Sequence, residues 1–123
     1  MSAMTDYLEN AWLNTLKGTS FSVSTVFVKL HIGDPTETGA ANPAVETTRK
    51  AVTLGTVASG IVTNDNDIDW TGVSNTETYS HISVWDALSG GNALMKGALT
   101  APVPVTAGDN FSIVAGDLAL QLL

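Results

Sequence analysis

Turn chemistry recurs along this chain and leaves room only for short strands between the turns. Ser59-Gly60, the Asn/Asp run at 64–67, Ser89-Gly90-Gly91-Asn92 and two Ala-Gly-Asp turns at 107–109 and 115–117 punctuate it. Glycine supplies positive φ in such turns, and Asn and Asp bond their own backbone. The repeated Ala-Gly-Asp reads as shared turn chemistry rather than duplication. Between the turns, apolar residues alternate with period two. Residues 25–32 (TVFVKLHI) place Val26, Val28, Leu30 and Ile32 on one face and Phe27, Lys29 and His31 on the other. Further strands are predicted at 50–57, 60–63, around Ile68 and Trp70, and at 79–86, 93–99, 111–114 and 118–122, with Pro102 and Pro104 marking an edge. Strands at about 8–12-residue spacing predict a mainly β fold: an antiparallel β-sandwich, jelly-roll or immunoglobulin-like.

The first residues follow a different period. Met4, Leu8, Ala11, Trp12, Thr15 and Leu16 recur at helical spacing, which predicts an amphipathic helix over 4–17. Thr5 suits the N-cap, Asp6 and Glu9 the positive end of the dipole, Lys17 the negative end and Gly18 the stop. The expected organisation is therefore an N-terminal helix at 1–18 and one sandwich domain at 19–123. Met4, Leu8, Trp12 and Leu16 are expected against the sandwich or a neighbouring chain.

Composition narrows the function. The chain is 14% charged and 44% hydrophobic, with net charge −7 and no cysteine. Acidity disfavours nucleic acid and anionic membranes as partners. No apolar run approaches the ~18 residues of a membrane span, and Asp6, Glu9 and Asn10 do not fit a signal peptide. No metal site is expected. Asp65, Asp67 and Asp69 alternate like calcium ligands, but Trp70 and Thr76 stand where an EF-hand loop needs Gly and Glu. His31 and His81 lack zinc spacing and read as partly exposed strand residues. No GxSxG elbow marks a nucleophile, and Gly90-Gly91 lacks a phosphate-loop context. No catalytic residue and no cofactor is assigned. Trp12, Trp70, Trp85, Tyr79 and Phe111 could form a sugar-stacking platform, although core and interface anchors are the commoner use.

Residues 33–48 (GDPTETGAANPAVETT) follow neither period. So long a segment is usually functional or disordered. Its mixture of hydroxyls and small apolar groups fits an arm over a neighbouring subunit, with Pro35, Thr36, Thr38, Pro43 and Val45 as contact candidates beside the helix stripe. A mobile surface loop is the alternative.

Several stretches together resemble a family of small tailed-bacteriophage virion proteins, labelled tail fibre or head decoration proteins. They are TDYLEN at 5–10, VFVKLHIGDPTETG at 26–39, SHISVWDAL at 80–88, GGNALMKGALT at 90–100 and VTAGDNFSIVAGDLALQL at 105–122. Glu46 stands where the family has a Glu before a short strand. NPAVETTRK replaces the family's Gly-Tyr-Ala-Arg run, so no role is carried over for that loop. The resemblance implies a non-enzymatic structural protein on the virion surface. Capsid decoration or cementing is the leading expectation, with a tail- or neck-attached fibre module or a lectin-like glycan-binding domain as alternatives. The expected partners are copies of itself, a trimer by preference, and other virion proteins: the major capsid protein or tail and neck proteins.

Overall fold

The computed structural model describes residues 2–122. The chain enters a sheet before it becomes helical: strand β1 is Ser2–Met4 and helix α1 is Asp6–Leu16. Met4 is therefore not the first apolar position of the helix, as its spacing predicted; it pairs with Met95 of strand β7, Ala93–Val105. Thr5 sets the boundary. Its backbone is extended at φ −78° and ψ 165°, and its Oγ1 accepts from the Leu8 amide as an N-cap. The same hydroxyl donates to the Ala93 carbonyl at 2.6 Å, and the Thr5 amide donates to the Leu94 carbonyl at 3.0 Å. These bonds hold the preceding residues in the sheet, and helical geometry starts only after them. Gly18 ends the helix at φ +93°, as its position predicted.

Strands β2 (Val26–His31), β3 (Lys50–Val52) and β6 (Glu77–Trp85) join β1 and β7 in one antiparallel sheet, ordered β1-β7-β6-β2-β3. The opposing layer is two separate antiparallel ladders. One pairs β4 (Ile61–Thr63) with β9 (Ala119–Gln121), the other β5 (Ile68–Trp70) with β8 (Phe111–Ile113). The fold is thus the mainly β, antiparallel sandwich with one helix that the patterning predicted. The strand expected at 50–57 is shorter: after Val52 the chain leaves the sheet, and Leu54 makes only an isolated bridge to Asn64.

Register follows side-chain alternation. Val28 lies opposite Val84 and Leu30 opposite Ile82, all buried in the core; Phe27, Lys29 and His31 lie opposite Trp85, Ser83 and His81 on the outer face. Phe111 links the layers through ring contacts with Tyr79 at 5.2 Å and Trp70 at 5.7 Å. Tyr79, Trp70, Ile68, Ile113, Leu118 and Leu120 belong to one continuous buried cluster with the inner face of the sheet.

Candidate functional site

The 33–48 segment is folded onto its own sheet. Asp34 accepts from the Thr36 amide at 2.9 Å, closing a turn in which Thr36 sits at φ +63°. The Ile32 amide bonds the Asn42 carbonyl, Ala41 the Pro35 carbonyl and Ala44 the Leu30 carbonyl, at 3.0, 3.0 and 3.1 Å. Lys96 ties the loop to β7 by ion pairs to Asp34 at 3.0 Å and Glu37 at 3.8 Å. The Thr36 amide first, then Lys96, hold the Asp34 carboxyl below its usual range. Further along, Glu77 accepts from the Val45 and Glu46 amides, and Glu46 accepts from those of Ser74 and Thr48. Burial pushes the Glu46 carboxyl up, but these bonds and Lys50 outweigh it and leave it lowered. Of the loop residues singled out from sequence, Pro35 is buried, while Thr36, Thr38, Pro43 and Val45 remain exposed.

Beneath this loop lies a buried polar chain. His31 Nδ1 is 2.8 Å from the Ala41 carbonyl, and its Nε2 is 2.7 Å from Ser83 Oγ. A carbonyl only accepts, so Nδ1 carries a proton; in the neutral ring Nε2 then accepts from the Ser83 hydroxyl. Ser83 Oγ in turn accepts from Trp85 Nε1 at 2.7 Å. His31 is not the partly exposed strand histidine its pattern predicted. It points to the outer face as alternation requires, but the returning loop covers it and leaves 0% exposure. Burial lowers its pKa, the Ala41 carbonyl opposes this, and the charge of Lys29 adds to the lowering. A serine–histidine contact suggests a nucleophile, yet Ser83 is also 0% exposed, with its oxygen engaged on both sides.

Two carboxylates of the acidic run bond other parts of the chain, Asp67 at a turn and Asp69 across the β5–β8 ladder. Asp67 accepts from the Ala115 amide and Asp69 from the Ser112 hydroxyl. Asn64, in the stretch expected to be a solvated turn, is 2% exposed. Its side chain donates to the Asn66 and Val114 carbonyls and accepts from the Gly116 and Leu118 amides, which closes the second Ala-Gly-Asp turn. Elsewhere Asp6, Glu9 and Glu37 bring one carboxylate oxygen each within 4.8 Å of the others. Two of the five aromatics considered for sugar stacking, Trp70 and Trp85, are at 2% and 9% exposure, and Tyr79 and Phe111 lie in the core. Trp12 alone of the set is exposed.

The surface around α1 is apolar. Leu8 docks α1 on the sheet, and Met4 is half-buried beside it. The second half of the helix overhangs: Trp12 is 45% exposed, Leu13 60% and Leu16 84%. Trp12 and Tyr7 meet Phe21 at 6.2 and 6.3 Å between ring centroids. Beside them runs a groove of about 420 Å³, lined by Trp12, Leu54, Val57, Ile61, Leu120 and Leu122 among others. Sequence reasoning marked Trp12 and Leu16 as contact residues. It missed Leu13, which lies off their stripe, and Val57 and Leu122, which reach the groove only through tertiary folding. No helix among the described residues is long and apolar enough to cross a membrane.

A β-sandwich whose buried polar side chains close its own loops, and which exposes an apolar patch at α1, has the form of an assembly module. The chain belongs to the family described as Podophage GP4 fiber I protein gp80, whose model matches residues 3–121. It is thus a structural protein of a tailed phage, with its place in the virion particle. No curated protein matches the chain.

Proposed function

We propose that this chain is a non-enzymatic, tail- or neck-attached fibre module that joins copies of itself and the virion through the apolar end at α1. The observation that carries this reading is the overhang of Trp12, Leu13 and Leu16 beside a groove lined by aliphatic side chains. Monomeric soluble proteins rarely expose contiguous apolar patches above a few hundred Å² unless another surface covers them. The family's name speaks for fibre over capsid decoration. Decoration requires contacts to several capsid subunits; the buried Trp70 and Trp85 weaken the glycan-binding reading.

The test is a double substitution, Leu13→Gln with Leu16→Gln, in the phage that encodes the chain. The expected result is a folded protein with unchanged melting temperature that sediments as a smaller species and is missing from purified particles. Incorporation at the wild-type copy number would overturn the reading. Copy number itself separates the roles, since a fibre is present in few copies and a decoration protein in hundreds.

A further inference from the structure

The chain has 12 acidic side chains for 5 basic ones, so each cation could have a carboxylate neighbour. Lys96 has two, Asp34 and Glu37, and Lys50 acts on Glu46. Lys29 and Arg49 are arranged otherwise. The β2–β3 ladder ends with Val28 opposite Lys50, and Arg49, just outside β3, comes close enough to Lys29 for the two charges to act on each other. Both cations lean on one ring: Lys29 Nζ is 5.8 Å, and Arg49 Cζ 4.0 Å, from the centroid of Trp85.

Arg49 is braced further, because Nη1 donates to the Ala87 carbonyl at 2.8 Å and the Gly90 carbonyl at 2.7 Å. Its other N–H groups and the Lys29 ammonium have no hydrogen-bond or ion-pair partner among the described residues. Asp86 acts on Arg49 through space, but its two oxygens take the backbone and side-chain N–H groups of Asn92. Burial, and then the neighbouring guanidinium, lower the pKa of Lys29. The two cations repel each other, and an anion bridging them would relieve that repulsion.

We propose that Lys29 and Arg49, braced on Trp85, form a carboxylate-binding site on the outer face of the five-stranded sheet, and that its occupant is an acidic segment of a partner polypeptide. A guanidinium with free N–H groups and an adjacent ammonium fit one carboxylate by charge-assisted hydrogen bonds. An acidic polysaccharide would bring the same group, and would gain further contact from an open aromatic face for its ring. Trp85 is 9% exposed and covered by Arg49, so that face is taken. Beside the cations on the same face stand half-buried Phe27 and exposed Ala51, a surface suited to side-chain contact. The site does not depend on where in the virion the module sits.

The experiment titrates the full chain with poly-L-glutamate and, in a separate arm, with alginate, at low ionic strength. Calorimetry and the amide resonances of residues 27–29, 49–51 and 85 are the readouts. Poly-L-glutamate is expected to bind and to shift those amides, with affinity falling as salt is added. Lys29→Gln is expected to weaken binding roughly tenfold while raising the melting temperature, because the like-charge contact is relieved. Absence of binding, equal affinity in Lys29→Gln, or a lower melting temperature in that variant would each overturn the proposal. Tighter binding of alginate than of poly-L-glutamate would overturn the choice of a polypeptide.

Discussion

His31 Nε2 and Ser83 Oγ lie 2.7 Å apart on neighbouring strands, and neither residue is exposed. The contact has the geometry of a catalytic dyad and the surroundings of a structural one. A backbone carbonyl orients the ring and an indole N–H donates to the hydroxyl oxygen. Its consequence is for stability, because the imidazole also carries the Ala41 carbonyl and with it the covering loop.

That link makes stability depend on pH in a defined window. Burial lowers the folded pKa of His31, so at mildly acidic pH the unfolded chain binds more protons than the native one. The contribution is complete above the unfolded value of about 6.5 and is lost as pH falls from there through the folded pKa. Asp34 and Glu46, also lowered, add a second loss below about 4. Melting temperature followed from pH 8 to 5 should fall in the wild type and stay flatter in His31→Gln. An equal slope in both would assign the acid sensitivity elsewhere.

Tyr79 gives the opposite sign at alkaline pH. Its hydroxyl is a buried side-chain polar atom with no hydrogen-bond partner among the described residues. Burial, then Glu77 and Glu46, push its pKa up to about 12. The raised value means stability is complete below about 10 and lost as pH climbs through the folded pKa. Tyr79→Phe removes an unsatisfied group without leaving a cavity, so it should be neutral or stabilising by up to about 1 kcal/mol. It should also flatten the alkaline limb of the stability profile. A loss above about 2 kcal/mol would show that the hydroxyl has a partner.

Two tryptophans separate core from surface. Trp70 is 2% exposed, touches Phe111 and donates Nε1 to the Thr48 carbonyl at 2.8 Å. Trp70→Ala should cost about 3–5 kcal/mol. Trp12, expected from sequence to be buried against the sandwich or a neighbour, is 45% exposed in the single chain. Trp12→Ala should cost the isolated chain only about 1–2 kcal/mol, and Leu16→Gln about 0.5 or less. Chemical denaturation under conditions where the chain is monomeric reads both directly.

The strands were legible because their evidence is local: Val28 and Leu30 alternate with Phe27 and Lys29 whatever the rest of the chain does. Strand β1 was not. Its three residues carry no alternation, and they are β because they pair with β7, some ninety residues away, beside the Thr5 bond to the same strand. The same distance hid the buried polar groups. His31 has an outward position in its strand and becomes buried through Ala41; Asn64 looks like a solvated turn residue until Gly116 and Leu118 close on it. At the apolar end the helix stripe was visible, but which part of it the sheet would cover depends on where Leu8 docks.

The loop offers the sharpest contrast between the arm expected from sequence and the folded-back segment in the structure. Gly39 sits at φ +71°, buried, where an added Cβ would run into the Ala93 side chain. Its amide bonds the Thr36 carbonyl at 2.9 Å, so it closes the turn that sends Ala41 toward His31. Gly39→Ala places a side chain in a left-handed conformation and against β7 at once. The expected cost is about 1–3 kcal/mol, with faster amide exchange confined at first to residues 33–44 and a shallower acid limb as the loosened loop uncovers His31 and relieves the burial that lowers its pKa. An arm that orders only against a neighbour would behave differently: the monomer would keep its stability and exchange pattern, and only assembly would suffer. Monomer hydrogen exchange in this one variant therefore decides whether the loop is part of the domain or waits for a partner.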